Sequence, residues 1–161
     1  MPAERALISH LFRRAGFGAI SSELDLYASR EYEEIVEDLL HPELFPEIEE
    51  DVIRRYHLEI NNPDSFAIWQ SYWLYRMVNS KQPLKEKIAL FWHHVFATGY
   101  SKVDDTHSML SQMDMFREEG LGNYRTLLVK LAKDPAMIFW LDNNENHRDA
   151  PNENWGRELL E

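Results

Sequence analysis

Apolar residues recur at helical spacing along this sequence, and that pattern constrains the fold more than any other feature. Tyr32, Ile35, Val36, Leu39 and Leu40 stand at i, i+3, i+4, i+7 and i+8, with Ser29 as the candidate N-cap and His41-Pro42 as the stop. Met1 to Arg14 reads as a helix with Pro2 in its first turn and Leu7, Ile8, Leu11 and Phe12 on one face. Arg13 and Arg14 then suit the negative end of the helix dipole, and Gly16 supplies the stop. Ile48 to Ile60 is a further helix, closed by Asn61-Asn62, and Asn62-Pro63 opens the next with Phe66, Trp69, Tyr72, Trp73, Arg76 and Met77. Gln82-Pro83 begins one that runs to about Ala97, followed by a loop over 98–105. Met109, Met113 and Phe116 mark a helix ending at Gly120; Asn123 caps another through Leu131. Asp134-Pro135 starts a short apolar helix to Leu141, and a polar loop leads to a last helix near Asn152.

No alternating strand pattern of useful length occurs, and Gly and Pro fall at helix ends. The expected class is all-α, a single domain over 1–161 built as an orthogonal or antiparallel bundle of about eight helices with no sheet. Seventeen basic and twenty-eight acidic side chains give a formal charge of −11. Nucleic acid and anionic lipid are therefore not expected as partners, since phosphate binding needs a cationic footprint. No run reaches the ~20 apolar residues of a membrane span. The chain has no cysteine, which excludes disulfides, thiolate metal sites and cysteine nucleophiles. Arg13-Arg14 before Phe17 has the look of a twin-arginine export signal, but Gly18 to Asp25 lacks the apolar run such a signal needs, so a cytoplasmic location is the default. Every Asp or Glu from Glu31 to Asp51 stands without a Lys or Arg among them; a solvated face and a docking surface for a basic partner both fit.

The segment LKEKIALFWHHVFA, Leu84 to Ala97, is apolar almost all round, as in a helix buried in a bundle. Its adjacent His93 and His94 point about 100° apart, so they cannot chelate one metal together. Each is a candidate acid/base or a core histidine satisfied by a hydrogen bond. In DNNENHRDAPNENWGRELLE, Asp142 to Glu161, the asparagines can build a turn by bonding locally to backbone. Asp142, Asn144, Asn146 and Glu153 also occupy positions 1, 3, 5 and 12 of an EF-hand-type Ca²⁺ frame, although His147 stands where the turn wants Gly. In the helix that follows, Asn154, Arg157, Glu158 and Glu161 share a face. Arg157 is placed to pair with Glu153 and Glu161, as a solvated stripe or, facing inward, as a polar network or site.

HLFRRAGFG (His10 to Gly18), LFWHHVFATG (Leu90 to Gly99), LGNYRTLL (Leu121 to Leu128), DPAMIFWLDNNEN (Asp134 to Asn146) and PNENWGRELLE (Pro151 to Glu161) follow in that order. Together they resemble the bacterial proteins grouped as the domain-of-unknown-function 1800 family, and the resemblance spans nearly the whole chain. Members are several hundred residues long, which implies that this chain is the N-terminal part of a longer protein. Many are exported and encoded beside a second uncharacterised family, number 1501, which the resemblance offers as a protein partner. It brings no activity with it, but it draws attention to His93, Asn152, Glu153, Asn154, Arg157 and Glu158.

Two classes of function follow. One is a binding module, with Asn152 and Asn154 toward the ligand and Ca²⁺ held by Asp142, Asn144, Asn146 and Glu153. The other is an acid/base enzyme, hydrolase-like, using His93 or His94 with Glu153 or Glu158 as partner carboxylate and Arg157 to orient an anionic group. The cofactor, beyond Ca²⁺, and the oligomeric state stay open.

Overall fold

Several helix starts in this chain are set by local polar chemistry. Asp105, Asn123 and Asp134 each stand just before a helix and accept the backbone N–H three residues on, from Ser108, Thr126 and Met137. The computed structural model describes residues 4–56 and 66–161. It is all-α: among the described residues there is no strand, and the pairing of His147 with Ala150 is an isolated antiparallel bridge. No helix among them is long and apolar enough to cross a membrane. The expected roles of Pro2 and of Ile60 to Pro63 lie outside the described residues. The chain divides into two compact units, Met1–Asn61 with Ala67–Ile88 and Asn62–Phe66 with Ala89–Glu161.

In the first unit, α1 (Arg5–Ala15), α2 (Ser21–Tyr27) and α3 (Tyr32–Leu40) enclose a core of Ile8, Phe12, Leu24, Ile35 and Leu39. Each such side chain, fully buried, contributes about 1.5–3 kcal/mol. α2 is too short and polar to register as an apolar period. It is started by Glu23, whose carboxylate accepts the Ile20 N–H at 3.0 Å, and anchored by buried Leu24. Ser29 is not the cap of α3: its hydroxyl donates to the Leu26 carbonyl at 2.7 Å and closes α2, while Glu31 takes the cap position. The stop after α1 leaves little room for a side chain at Gly16. A Cβ on Gly16 would lie 3.0 Å from the Pro83 ring and 3.2 Å from the Phe12 carbonyl.

The remaining helices of this unit are α4 (Glu50–Tyr56), α5 (Phe66–Asn79, all but its first residue) and the first half of α6 (Pro83–Val95). They carry a polar network. The Arg76 Nε donates to Glu86 at 2.8 Å with both side chains buried, and its Nη1 reaches Tyr72 at 3.0 Å and Glu50 at 3.3 Å. The Tyr72 hydroxyl donates to the same Glu50 oxygen at 2.8 Å, and burial, followed by that bond, pushes its pKa up to about 12. α6 departs from the expected wholly buried helix. Glu86 and Ala89 are buried, whereas Phe91 and Val95 are about half exposed. Aromatic bulk alone did not decide burial there.

The second unit contains α7 (Tyr100–Val103), a single turn within the expected loop, then α8 (Thr106–Glu119), α9 (Tyr124–Leu131), α10 (Pro135–Trp140) and α11 (Asn154–Leu160). α10 packs on α7 and α8, and α8 on α9. Gly99 admits the Trp140 ring, which would be 3.1 Å from a Cβ at that position. A buried chain of bonds runs from the Thr98 hydroxyl to Gln112 (2.6 Å), from the Gln112 amide to Asp134 (2.7 Å), and from the Met137 N–H to the same Asp134 oxygen (2.9 Å). One carboxylate thus caps α10 and ties it to α8.

Removing one partner of the Arg76–Glu86 pair leaves a charge buried. Arg76→Ala or Glu86→Ala is expected to lower the unfolding free energy by about 3–5 kcal/mol. Replacing both with Met and Leu should cost far less, and urea unfolding of the three variants measures the difference.

Candidate functional site

The site begins where α10 stops. A helix end leaves carbonyls without intrahelical partners, and here side chains from further along the chain take them. The Asn152 amide donates to the Leu141 and Asp142 carbonyls, both at 2.9 Å, and the Asn154 amide donates to Leu141 at 3.0 Å. Asn152 is itself held from both sides. Its backbone N–H donates to the Asn146 side-chain oxygen at 3.1 Å, and its own side-chain oxygen accepts the Asn154 N–H at 2.8 Å. The two asparagines expected to face a ligand join the end of α10 to the start of α11, and Asn152 also lines the cleft beside α11.

Asp142 has a left-handed backbone, φ 59°, a region that Asp tolerates better than most residues. The Lys102 ammonium secures it: it donates to the Trp140 carbonyl at 2.6 Å, meets both Asp142 carboxylate oxygens at 2.8 and 2.9 Å, and lies 5.8 Å from the centre of the Trp140 ring. Of the four oxygens in the Ca²⁺ frame, Asp142 is thus engaged by a lysine and Asn146 by a backbone N–H. Asn144 is exposed, and Glu153 stands at the start of α11. An ion entering the loop would have to displace Lys102. Among the described residues no group of three or more His, Asp or Glu side chains is gathered as a metal site.

Between this loop and α11 lies a cleft of about 750 Å³, lined among others by Asn143, Asn146, Glu153, Trp155 and Arg157. Its remaining walls include Ala132 and Ile138 from α9–α10 and Leu160 from α11. Arg157 turns away from the start of its helix, meeting Glu158 at 2.6 Å and Glu161 at 3.4 Å, with the side chains of all three partly exposed. The Glu153 carbonyl accepts the Arg157 N–H at 3.0 Å, while its carboxylate makes no hydrogen bond or ion pair among the described residues. The expected Arg157–Glu161 pair is present, while Arg157 takes Glu158 in place of Glu153.

His93 and His94 sit on α6 and are not among the residues lining the cleft. His94 is exposed, whereas His93 is half-buried, and burial, followed by the neighbouring His94, holds its pKa below the usual 6.5. Sequence reasoning missed Lys102, Gln112 and the Arg76–Glu86 pair. Only Arg76 left a signal, as a charge within an otherwise apolar helical stripe.

A family model described as a protein of unknown function, DUF1800, matches residues 10–161. The chain belongs to the DUF1800 family. No curated protein and no solved structure matches it. Within this DUF1800 chain the segment Pro151 to Glu161 holds both the clamp on α10 and one wall of the cleft.

Two outcomes check this geometry. Asn152→Ala strands two carbonyls at the end of α10 and is expected to cost about 1–3 kcal/mol, lowering the thermal midpoint by several degrees. His93 binds its proton more weakly folded than unfolded, so the unfolded state takes up the extra proton and stability falls as pH drops below about 6.5. Urea midpoints between pH 7.5 and 5 should show that fall, and His93→Gln should reduce it.

Proposed function

We propose that this DUF1800 chain is a binding module whose ligand occupies the cleft between the end of α10 and α11. The observation that carries the reading is the cleft itself. It combines a carboxylate, a guanidinium, an indole and asparagine amides within a volume typical of small-molecule sites, which run to roughly 300–1,000 Å³. Its frame is held by bonds that need no ligand: Asn152 and Asn154 on Leu141, Asn146 on Asn152, and Lys102 on Asp142. A pre-organised wall loses little entropy on binding. The acid/base reading draws less support. Arg157 and Glu158 are partly exposed and paired with each other, and His94 is exposed. His93, though half-buried with a lowered pKa, does not line the cleft, whereas general acid/base work needs poised groups held together against a substrate.

The test is amide chemical-shift mapping of the ¹⁵N-labelled protein with panels of cationic, anionic and neutral small molecules. Saturable shifts confined to the cleft, around residues 132, 138, 143–146 and 152–160, are the expected result. Shifts elsewhere on the protein, or none with any panel, would overturn the proposal.

A further inference from the structure

We infer that the ligand of this cleft is a primary ammonium group carried on an alkyl stem, such as a lysine side chain or a free alkylamine; the inference rests on the cleft being the binding site. It starts from the charges along one face of α11. Glu153 and Arg157 stand at i and i+4 with the carboxylate toward the N-terminus, the favourable order for a helical ion pair. The pair is not made. Arg157 is held by Glu158 at 2.6 Å and by Glu161 at 3.4 Å, so its charge is offset twice within its own helix. The Glu153 carboxylate is left lining the cleft with no hydrogen-bond or ion-pair partner among the described residues, and with Glu158 and Glu161 offsetting Arg157 the charge along this helix is negative.

What surrounds Glu153 suits one kind of cation. Trp155 lines the same cleft and offers an indole ring, the best of the side-chain rings for holding a cation. Ala132, Ile138 and Leu160 give the cleft an apolar wall. Methylenes laid along that wall remove apolar surface from water while the charged end stays at the carboxylate, as long cationic side chains do elsewhere. A bare metal ion would leave the apolar wall unused. An anion would face Glu153 and find Arg157 already doubly paired. The net charge of −11 adds a general attraction for cations.

The protein already holds one ammonium this way. Lys102 lies 5.8 Å from the Trp140 ring centre, with the Asp142 carboxylate and the Trp140 carbonyl as its acceptors. Glu153 and Trp155 supply the carboxylate and ring of a second such arrangement, open to a ligand instead of closed by the chain's own lysine.

The experiment is an NMR titration of the protein with butylammonium chloride and with Nα-acetyl-lysine methylamide. Butanol and butyrate serve as neutral and anionic probes of matched stem. Both ammonium probes are expected to give saturable shifts at Glu153, Trp155 and Leu160, with Glu153→Gln weakening them by about tenfold and Trp155→Ala also weakening them. Because Glu153 is exposed and unpaired among the described residues, E153Q should keep the parent thermal midpoint, which separates lost binding from lost fold. If the lysine derivative binds more tightly than butylammonium, the source is a protein side chain; the reverse order points to a free amine. Equal binding by butanol, or an ammonium affinity unchanged in E153Q, overturns the inference. Butyrate binding in the cleft overturns it while leaving the binding-module reading intact, and silence from every probe here and in the wider panels removes both.

Discussion

A helix that stops must place its last carbonyls somewhere, and the clamp on the end of α10 organises the region that follows it. Leu141 and Asp142 present carbonyls that Asn152 and Asn154 take up from the far side of a ten-residue loop. An amide side chain can donate twice and accept as well. Asn152 uses this capacity fully, bonding two carbonyls with its NH₂ and the Asn154 backbone with its oxygen. The loop is thereby closed and the start of α11 set, so Glu153, between the two asparagines, comes to line the cleft. The cleft is a consequence of a helix-end problem solved by side chains.

The same economy of polar groups recurs in each compact unit. In the first, Arg76 gathers Glu86, Tyr72 and Glu50. In the second, Asp134 caps α10 and receives Gln112, which in turn receives Thr98. Burial raises the Asp134 pKa, against the bonds from Met137 and Gln112, so this carboxylate is held at some cost to its charged form. Such networks add little net stability compared with apolar packing, but breaking one is expensive.

Much of the fold was legible in order of residues. Asn123 and Asp134 are caps where the sequence placed them, His41-Pro42 and Gly120 end their helices, and the apolar periods over 32–40 and 124–131 are helices. These features were readable because capping and periodicity act within four residues. α2 escaped because a seven-residue helix with one buried leucine has no period to detect, and Ser29 misled because a hydroxyl can close one helix as readily as open the next. The site was legible in part. Glu153 and Arg157 were named from type and spacing, and both line the cleft. Asn152 and Asn154 were also named, but their work on carbonyls ten or more residues away could not be read from spacing.

The sequence by itself determined the helical class, most helix boundaries and the family. Each follows from local backbone chemistry or from ordered motifs. Only the tertiary structure decided which charges far apart in the chain meet. Lys102 found Asp142 forty residues on, and Arg76 found Glu86 ten residues on. Such pairings depend on where helices pack and which groups lose water when they do. Periodicity tells which face is apolar, but not which polar atom the next helix will bring to it.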